Sequence, residues 1–403
     1  MNKFWVNYSS LTIAQVFNSI VLLITYPYLV NKIGIKTYGI IVVTQALSDF
    51  VMIFTNFGFE ISGLKSVSKL RTNINSLNKV LNSVFIIKSF VFFIILIPAL
   101  CIGIYILDIK NIFFLIAFIF SGFFSALIPY FFFQGVEKMN YILYLKVFLG
   151  CLYIGLILLI IQNEADFTKV AYIKLSVELC TFLLAIFFLK KYFYFKLIVL
   201  NFKELIPLFK ESSAFFSSKL ANIFNTKIPI FFTSIIFGSS ATTILDFVIK
   251  LFSIGQIPID ILASIIFPKT ALNFEKFYVK KMIFYNFITA IFITLSINIF
   301  LELFLSLLLP EISYSSVYFY ISIYGLVLIC NSINSVLGTS VLVVNGHSFH
   351  YNVSVYFSSF LLMLSLAFSY FFNSLLLVYV SLILSSFSLL FYRFFISVRN
   401  KLL

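Results

Sequence analysis

Apolar residues fill this chain in long unbroken runs, and short polar segments separate the runs. The stretch from Ile112 to Tyr130 is one example. A membrane-spanning helix needs about 20 consecutive, mostly apolar residues. A membrane β-barrel would instead require apolar and polar positions to alternate along each strand, and these runs do not alternate. The pattern therefore predicts transmembrane helices.

We predict about twelve such helices, joined mostly by very short connections. The tenth is long and contains glycines and asparagines (Gly325, Asn331, Asn334 and Gly338), so we expect it to be interrupted or to include interfacial turns. The predicted spans are 8–30, 37–60, 84–107, 111–134, 141–162, 168–189, 213–237, 241–267, 282–308, 314–344, 351–372 and 375–396. The first apolar run continues to Val30 without a convincing cleavage site, and we expect it to remain as the first span.

Composition excludes a soluble domain. Hydrophobic residues make up 62% of the 403 residues, charged residues make up 10%, and the mean hydropathy is +1.10. Soluble domains contain about 25% charged residues. The sequence has no GxxxxGK[ST] loop, so no ATP-hydrolysing module is predicted. The four cysteines are scattered through apolar runs, which indicates core residues, and we predict neither a metal site nor a cofactor; they are Cys101, Cys151, Cys180 and Cys330.

Basic residues predict the orientation. If the N-terminus is cytoplasmic, most of the 28 lysines and arginines lie in inner segments. The outer loops then hold only Lys32, Lys36, Lys110 and Lys169. Inner loops of membrane proteins carry such an excess of basic residues, so both termini are predicted to be cytoplasmic. Because the bases are spread over many short loops, they indicate membrane orientation and not nucleic-acid binding.

The largest inner loop divides the chain into two sets of six spans. This organisation predicts an N-terminal six-helix lobe over residues 1–195, a cytoplasmic connection over 196–212 and a C-terminal six-helix lobe over 213–403. Six is an even number, so both halves would enter the membrane from the same side. The predicted fold class is an all-α membrane protein.

Span two carries a polar stripe. At 100° per residue, Tyr38, Gln45, Asp49 and Asn56 fall on one face of an otherwise apolar helix. Such a stripe either lines a cavity or forms interhelical hydrogen bonds, which membrane bundles use widely. Both interpretations stay open from the sequence.

Spans seven and eight each combine a polar face with a proline. The polar positions are Lys219, Asn222, Thr226 and Lys227 in span seven and Asp246, Lys250, Ser253 and Asp260 in span eight. Pro229 and Pro258 predict kinks in the two helices. This pattern favours a water-filled cavity with moving walls over a static polar core. The i,i+4 spacing of Asp246 and Lys250 also permits an ion pair within one helix.

Other charges in the spans have simpler interpretations. Lys88, Glu60 and Lys174 lie near predicted span ends, where long side chains reach the interface. Lys174 and Glu178 are spaced to form a local ion pair. The lysines in spans seven and eight remain, and an ammonium group suits phosphate oxygens, so these lysines favour an anionic ligand.

Three segments carry a resemblance to a known family. The N-terminal segment, which extends to Arg71, contains Asn7-Tyr8-Ser9-Ser10, Gln15, Asn18, Tyr26-Pro27-Tyr28-Leu29, Ile33-Gly34-Ile35-Lys36-Thr37-Tyr38-Gly39, Gln45 and Phe57-Gly58-Phe59. The second segment is Phe133 to Met139, and Phe131, two residues before it, stands in place of the usual tryptophan. The third runs from Ile257-Pro258 to Phe267-Pro268. Together they resemble the polysaccharide repeat-unit flippases of the multidrug/oligosaccharidyl-lipid/polysaccharide exporter superfamily.

The resemblance implies a transporter, not an enzyme, with two six-helix lobes around a central cavity. Its substrate would be an undecaprenyl-pyrophosphate-linked oligosaccharide, moved from the cytoplasmic to the outer leaflet by alternating access for O-antigen or capsule biosynthesis. It would lie among the lipids of the bacterial cytoplasmic membrane. A polysaccharide polymerase and a chain-length regulator are candidate partners.

Three roles are assigned as hypotheses to the polar residues within the spans. Lys219, Lys227 and Lys250 would attract the pyrophosphate or acidic sugars. Asn18, Gln45, Asn56 and Asn222 would contact sugar hydroxyls. Asp49, Asp246 and Asp260 would bind a coupling ion or tune a lysine.

Two other functions compete with this interpretation. A multidrug exporter of the same fold would prefer acidic cavity residues for organic cations, and the lysines of span seven argue against it. A membrane-embedded polymerase, ligase or acyltransferase generally needs a sizeable outer loop or a histidine within a span. The two histidines, His347 and His350, lie in a short predicted inner loop.

Overall fold

The computed structural model describes residues 3–71, 73–107, 112–196, 198, 202–272, 274–308 and 314–403, and these residues form helices joined by short turns. The α-helices are α1 (Lys3–Ile33), α2 (Ile35–Asn56), α3 (Phe59–Leu70), α4 (Ile74–Leu107), α5 (Ile112–Leu127), α6 (Tyr130–Gly135), α7 (Asn140–Ile160), α8 (Phe167–Phe193), α9 (Phe202–Leu272), α10 (Lys276–Ile299), α11 (Leu301–Leu308), α12 (Tyr314–Ser335), α13 (Ser348–Phe371) and α14 (Leu375–Arg399). A 3₁₀ turn, Glu164–Asp166, precedes α8, and a π-helix, Val336–Val343, follows α12.

Eleven helical segments of the described chain are long and apolar enough to cross a membrane. One of them, Ile223–Ala263, is 41 residues long, about twice the length that a bilayer core requires. It lies in α9, which Gly238 interrupts with non-helical dihedrals of φ 80° and ψ 178°. Glycine adopts a positive φ without steric cost, so this break separates two helices, as the sequence predicted for spans seven and eight. The prediction of an all-α membrane protein is confirmed, and the orientation of its termini stays a prediction.

The chain forms two compact units, Met1–Leu220 and Ala221–Leu403. The division falls within α9, so the first part of that helix belongs to the first unit. The lobe boundaries expected from the sequence stay a prediction.

In the first unit, α2 packs against α4 and α5, α1 packs against α7, and α8 packs against α5 and α7. The contact between α2 and α5 is very close. A Cβ atom on Gly122 would lie 2.3 Å from the carbonyl oxygen of Ser48. Beside it, the hydroxyls of Ser48 and Ser121 are 3.1 Å apart and share a hydrogen bond. Small residues allow such close packing of helices where lipid supplies no hydrophobic driving force.

Large apolar side chains remain on the outside of the helices. Phe93 and Ile97 of α4 and Phe360 and Phe371 of α13 are all exposed. A water-soluble protein rarely exposes so many large apolar side chains, whereas lipid covers them without cost. The exposed side chains are therefore those expected of a membrane bundle.

In the second unit, α14 packs against α12 and α13, and α10 packs against α12. The predicted tenth span is formed by α12 and the π-helix that follows it directly. Its winding changes after Ser335 and stays π-helical to Val343. π-Helical turns are rare and often occur at functional sites.

Candidate functional site

Two of the site residues predicted from the sequence, Lys219 and Asn56, both contact Glu60 in the first unit. Glu60 itself has no predicted role in the site. The ammonium of Lys219 forms an ion pair with Oε2 of Glu60. The other carboxylate oxygen, Oε1, accepts a hydrogen bond from Nδ2 of Asn56 at 3.3 Å. The side chains of Lys219 and Glu60 are 28% and 50% exposed, and Asn56 is buried. Glu60 therefore links the two predicted residues in one polar network.

Local backbone geometry places Glu60 in this network. Helix α2 ends at Asn56, and the next two residues, Phe57 and Gly58, have φ of 42° and 80°. This left-handed turn starts α3, and Glu60 lies in its first turn, where the helix dipole favours an acid. The i,i+4 spacing of Asn56 and Glu60 was the signal for the hydrogen bond in the sequence. The position of Lys219, far away along the chain, gave no such signal.

In the second unit, Lys250 Nζ lies 2.5 Å from Asp246 Oδ2. This is the local pair that the i,i+4 spacing permitted. The Asp246 side chain is 9% exposed and that of Lys250 is 24% exposed. Further along the same helix, Asp260 is exposed and accepts a hydrogen bond of 3.0 Å from Nε2 of Gln256, one turn before it. Lys227 is half-buried in the same unit, and the side chain of Asn222 lies outside the described residues.

The remaining predicted residues lie elsewhere in the first unit. Asn18 is exposed on α1, and Gln45 and Asp49 are half-buried on α2. Asp49 interacts electrostatically with Glu178, a buried acid on α8. Among the described residues we find no hydrogen bond that joins Asn18 or Gln45 to the Asn56–Glu60–Lys219 network.

Glu178 lies at the centre of a second charged group in the first unit. Lys174, one turn earlier on α8, and Lys146 of α7 both interact electrostatically with it. Lys146 also lies over the ring of Tyr130, with its ammonium 4.8 Å from the ring centroid. The local pairing expected of Lys174 and Glu178 thus belongs to a larger group that spans several helices.

The position of Lys88 contradicts the expectation that its ammonium reaches the membrane interface. We expected it near the end of the third span, with its ammonium at the membrane interface. Helix α4 begins at Ile74, ten residues before the predicted start of that span, so Lys88 lies deep within the helix. It is 1% exposed, donates a hydrogen bond to the carbonyl oxygen of Ala126, and lies 5.5 Å from the Phe131 ring centroid.

The sequence places Arg393 among the inner basic residues, at the end of the predicted span 375–396, whereas in the structure it is a buried charge. Its Nε donates to Ser354 Oγ at 3.0 Å, and its Nη1 donates to the Asn334 carbonyl oxygen at 2.8 Å. The guanidinium also lies 4.6 Å from the Tyr351 ring centroid. Asn334 is at the end of α12, and a Cβ on Gly338 would lie 2.5 Å from Nη1. The hydrogen bonds of Arg393 therefore stabilise the junction between α12 and the π-helix.

The pairs Lys219–Glu60 and Lys250–Asp246 have one chemical property in common. In each unit, a half-buried lysine ammonium is neutralised by a carboxylate among apolar helices. An ammonium donates to carboxylate and to phosphate oxygens, so such a lysine can exchange its partner for an anionic ligand. The geometry supports anion binding more directly than it supports covalent chemistry.

Comparisons of sequence place the chain in a family. The family described as "Polysaccharide biosynthesis protein" matches residues 4–272. A protein of Escherichia coli (strain K12) named "Putative O-antigen transporter" is 24% identical over 181 residues. That alignment covers 44% of this chain and 43% of the E. coli protein, so it spans less than half of this relative.

Comparisons of structure give the fold. An inward-facing conformation of a multidrug resistance MATE family transporter of the MOP superfamily has a TM-score of 0.72 at 14% identity, covering 97% of this chain and 95% of that one. A crystal structure of MATE in complex with MaL6 has a TM-score of 0.60 at 14% identity, with the same coverage. At such identities the likeness shows a common fold. The family match covers most of the chain and confirms the resemblance seen in its sequence, so the chain belongs to the polysaccharide biosynthesis protein family as a multi-pass bacterial membrane protein with the MATE fold.

Proposed function

We propose that the protein translocates an undecaprenyl-pyrophosphate-linked oligosaccharide from the cytoplasmic to the outer leaflet of the bacterial cytoplasmic membrane. Translocation proceeds by alternating access and supplies repeat units for O-antigen or capsule biosynthesis. The protein carries out no covalent chemistry. A polysaccharide polymerase and a chain-length regulator would use the translocated units on the outer side.

The family match over residues 4–272 carries the proposal. A family of polysaccharide biosynthesis combined with the fold of a transporter points to a step in which a glycan intermediate crosses the membrane. The name of the E. coli relative, an O-antigen transporter, supports the same step.

The chemistry of the polar residues is compatible with such a substrate. A lipid-linked oligosaccharide offers a diphosphate, which ammonium groups bind, and many hydroxyls, which amides bind. Lys219 and Asn56 lie together in the first unit, and Lys250 lies half-buried in the second. We assign the diphosphate or acidic sugars to Lys219, Lys227 and Lys250.

We assign sugar hydroxyls to the four predicted amides, which are Asn18, Gln45, Asn56 and Asn222. We assign coupling to an ion, or adjustment of a lysine's charge, to the acids Asp49, Asp246 and Asp260. The ion pair between Asp246 and Lys250 supports the second of these roles.

Deletion in the native host tests the proposed function. Lipid-linked repeat units are traced by leaflet with a membrane-impermeant label for the glycan. Accumulation of repeat units on the inner leaflet is expected. Normal translocation with shortened surface chains would contradict the proposal and indicate a polymerase.

A double substitution tests the assigned lysines. Lys219→Ala combined with Lys227→Ala is expected to reduce glycan export by about tenfold or more, because the diphosphate loses two charge-assisted donors. Export is measured as surface glycan at equal protein level. The matched control is Lys190→Ala combined with Lys191→Ala, at the exposed end of α8, which should export normally. Full export by the first variant would remove both lysines from the mechanism.

A multidrug exporter is the second candidate, because the solved structures with this fold include a multidrug resistance transporter. Such a protein would bind organic cations through its acids. Vesicles that contain the purified protein and show drug efflux, with no glycan defect in the deletion strain, would favour this function.

A further inference from the structure

Helix α3 and the first part of α9 are joined by a set of contacts within the first unit. We call this set the α3–α9 contact, and it includes Phe57 of the turn that starts α3. Its members are the ion pairs Glu60–Lys219 and Lys65–Glu211, the hydrogen bond between Ser62 and Ser212, and the stacking of Phe57 on Phe209 and Phe216. Because α9 continues beyond Leu220, this contact holds the segment of chain that leads into the second unit.

The aromatic part of the contact fixes the turn between α2 and α3. Phe57 has a φ of 42°, a left-handed conformation that a bulky residue rarely adopts. Its ring lies between two phenylalanine rings, with centroids 4.6 Å from Phe209 and 4.7 Å from Phe216. Stacking therefore stabilises an unfavourable backbone conformation, and that conformation positions Glu60, three residues further on.

The two ion pairs of the contact differ in one respect. Lys65 Nζ lies 2.6 Å from Oε1 of Glu211. The Lys65 side chain is 52% exposed, so solvent reaches about half of it. The carboxylate of Glu60, in contrast, is shared between the ammonium of Lys219 and the amide of Asn56. These are two donors that the proposed function assigns to the substrate. Glu60 therefore occupies the ammonium assigned to the diphosphate and the amide assigned to a sugar hydroxyl.

The strength of the ionic interactions favours exchange of the Glu60 carboxylate for a diphosphate at Lys219. An ion pair with half-exposed partners contributes little to stability. A diphosphate presents more charge and more acceptor oxygens than one carboxylate, and its hydrogen bonds to lysine are charge-assisted. Binding of a diphosphate at Lys219 is thus able to displace Glu60.

We propose that Glu60 is the exchangeable counter-ion of Lys219, and that arrival of a diphosphate separates α3 from α9 at this end of their contact. This inference rests on the proposed function and adds a residue and a regulatory step to it. In the absence of substrate, Glu60 keeps the lysine neutralised and α9 attached to α3. With substrate bound, the attachment is released.

Disulfide trapping measures this release. Ser62 and Ser212 are both fully buried, and their hydroxyl oxygens are 2.6 Å apart. Cysteines at these two positions lie within reach of a disulfide. The full chain carries Ser62→Cys and Ser212→Cys, with its four native cysteines replaced by serine. It is placed in lipid nanodiscs and oxidised with copper phenanthroline, and the rate of disulfide formation is recorded.

Three probes separate the sources of the anion: undecaprenyl pyrophosphate, inorganic pyrophosphate and phosphatidylglycerol. Undecaprenyl pyrophosphate is expected to slow disulfide formation by about threefold or more. Slowing by inorganic pyrophosphate as well would assign the effect to the diphosphate alone. Slowing by undecaprenyl pyrophosphate alone would show that the lipid tail delivers the diphosphate. Equal slowing by phosphatidylglycerol overturns the inference.

Variants of the two acids supply the matched comparison. Glu60→Gln is expected to form the disulfide at a rate that no longer depends on undecaprenyl pyrophosphate. Glu211→Gln removes a carboxylate from the same contact and should remain sensitive to the probe. Glu60→Asp keeps the charge and should restore part of the sensitivity, which provides a second test if Glu60→Gln fails to fold. Equal sensitivity of Glu60→Gln and the parent protein contradicts the proposal.

Binding is measured separately by native mass spectrometry with undecaprenyl pyrophosphate. Binding with an unchanged rate of disulfide formation overturns the role of Glu60 and leaves the proposed function intact. If the parent protein does not bind the probe, the proposed function fails, and the inference fails with it.

Discussion

The two lysine–carboxylate pairs near the middle of the chain are built in different ways. Lys250 and Asp246 are one turn apart on the same helix, and the acid is buried. Lys219 and Glu60 lie on different helices, 159 residues apart in sequence, and the carboxylate is half-exposed. The first pair forms as soon as its helix forms. The second pair forms only when two helices meet.

This difference in construction implies a difference in role. A pair within one helix stays intact when helices move past one another. A pair between helices breaks when the helices separate. Movement of the helices therefore leaves Lys250–Asp246 paired, whereas Lys219–Glu60 suits a contact that such movement makes and breaks.

Asp246→Ala tests the buried pair and should have the largest effect on stability. The substitution removes the carboxylate that lies against the Lys250 ammonium in a low-dielectric interior, and loss of one partner of a buried pair costs about 3–5 kcal/mol. We expect about 3 kcal/mol here, since Lys250 is partly exposed. The apparent melting temperature of the detergent-solubilised protein, measured by size-exclusion chromatography after heating, should fall clearly below that of the parent.

The control for this prediction is the double variant Asp246→Ala with Lys250→Met. Replacing the lysine as well removes the ammonium that has lost the Asp246 carboxylate, so most of the lost stability should return. If the double variant is as unstable as Asp246→Ala alone, the loss comes from packing at Asp246 and the electrostatic account is wrong.

The sequence predicts local features of this molecule well and contacts between helices poorly. The membrane spans follow from runs of apolar residues, and the Asp246–Lys250 pair follows from i,i+4 spacing. The Glu60–Lys219 pair depends on the packing of α3 against α9, and no periodicity along either helix encodes that packing. Lys88 was misplaced because polar residues at the start of α4 concealed ten further helical residues.

Arg393 is a second residue whose contacts with neighbouring helices could not be predicted from the sequence. Its position near the C-terminal end of α14 indicated a solvated inner charge. In the structure, α13 and the end of α12 cover it and supply neutral partners, Ser354 and the Asn334 carbonyl. Whether a charge near a helix end is solvated depends on how far the neighbouring helices extend past it. Hydropathy along the sequence does not show how far they extend.

Arg393→Lys adds a third arrangement to the comparison, a buried cation held by neutral groups. Lysine keeps the charge but cannot reproduce the directed donors from two guanidinium nitrogens. We expect a loss of about 2 kcal/mol, the cost of leaving buried acceptors unsatisfied. The same melting measurement checks it, with Arg399→Lys at the end of α14 as the control. A loss no greater than that of the control would mean that the hydrogen bonds to Arg393 add little to stability.

Glu60→Gln should have the smallest effect of the three on stability. Glutamine keeps the size of the side chain and can still accept from Asn56, and the lost ion pair is partly solvated, so we expect a cost below about 1 kcal/mol. Glu211→Gln, which removes the acid of the second pair in the α3–α9 contact, should cost about the same. A loss for Glu60→Gln as large as that for Asp246→Ala would make the Glu60–Lys219 pair a structural one, and a carboxylate held that firmly would not yield its lysine to a substrate.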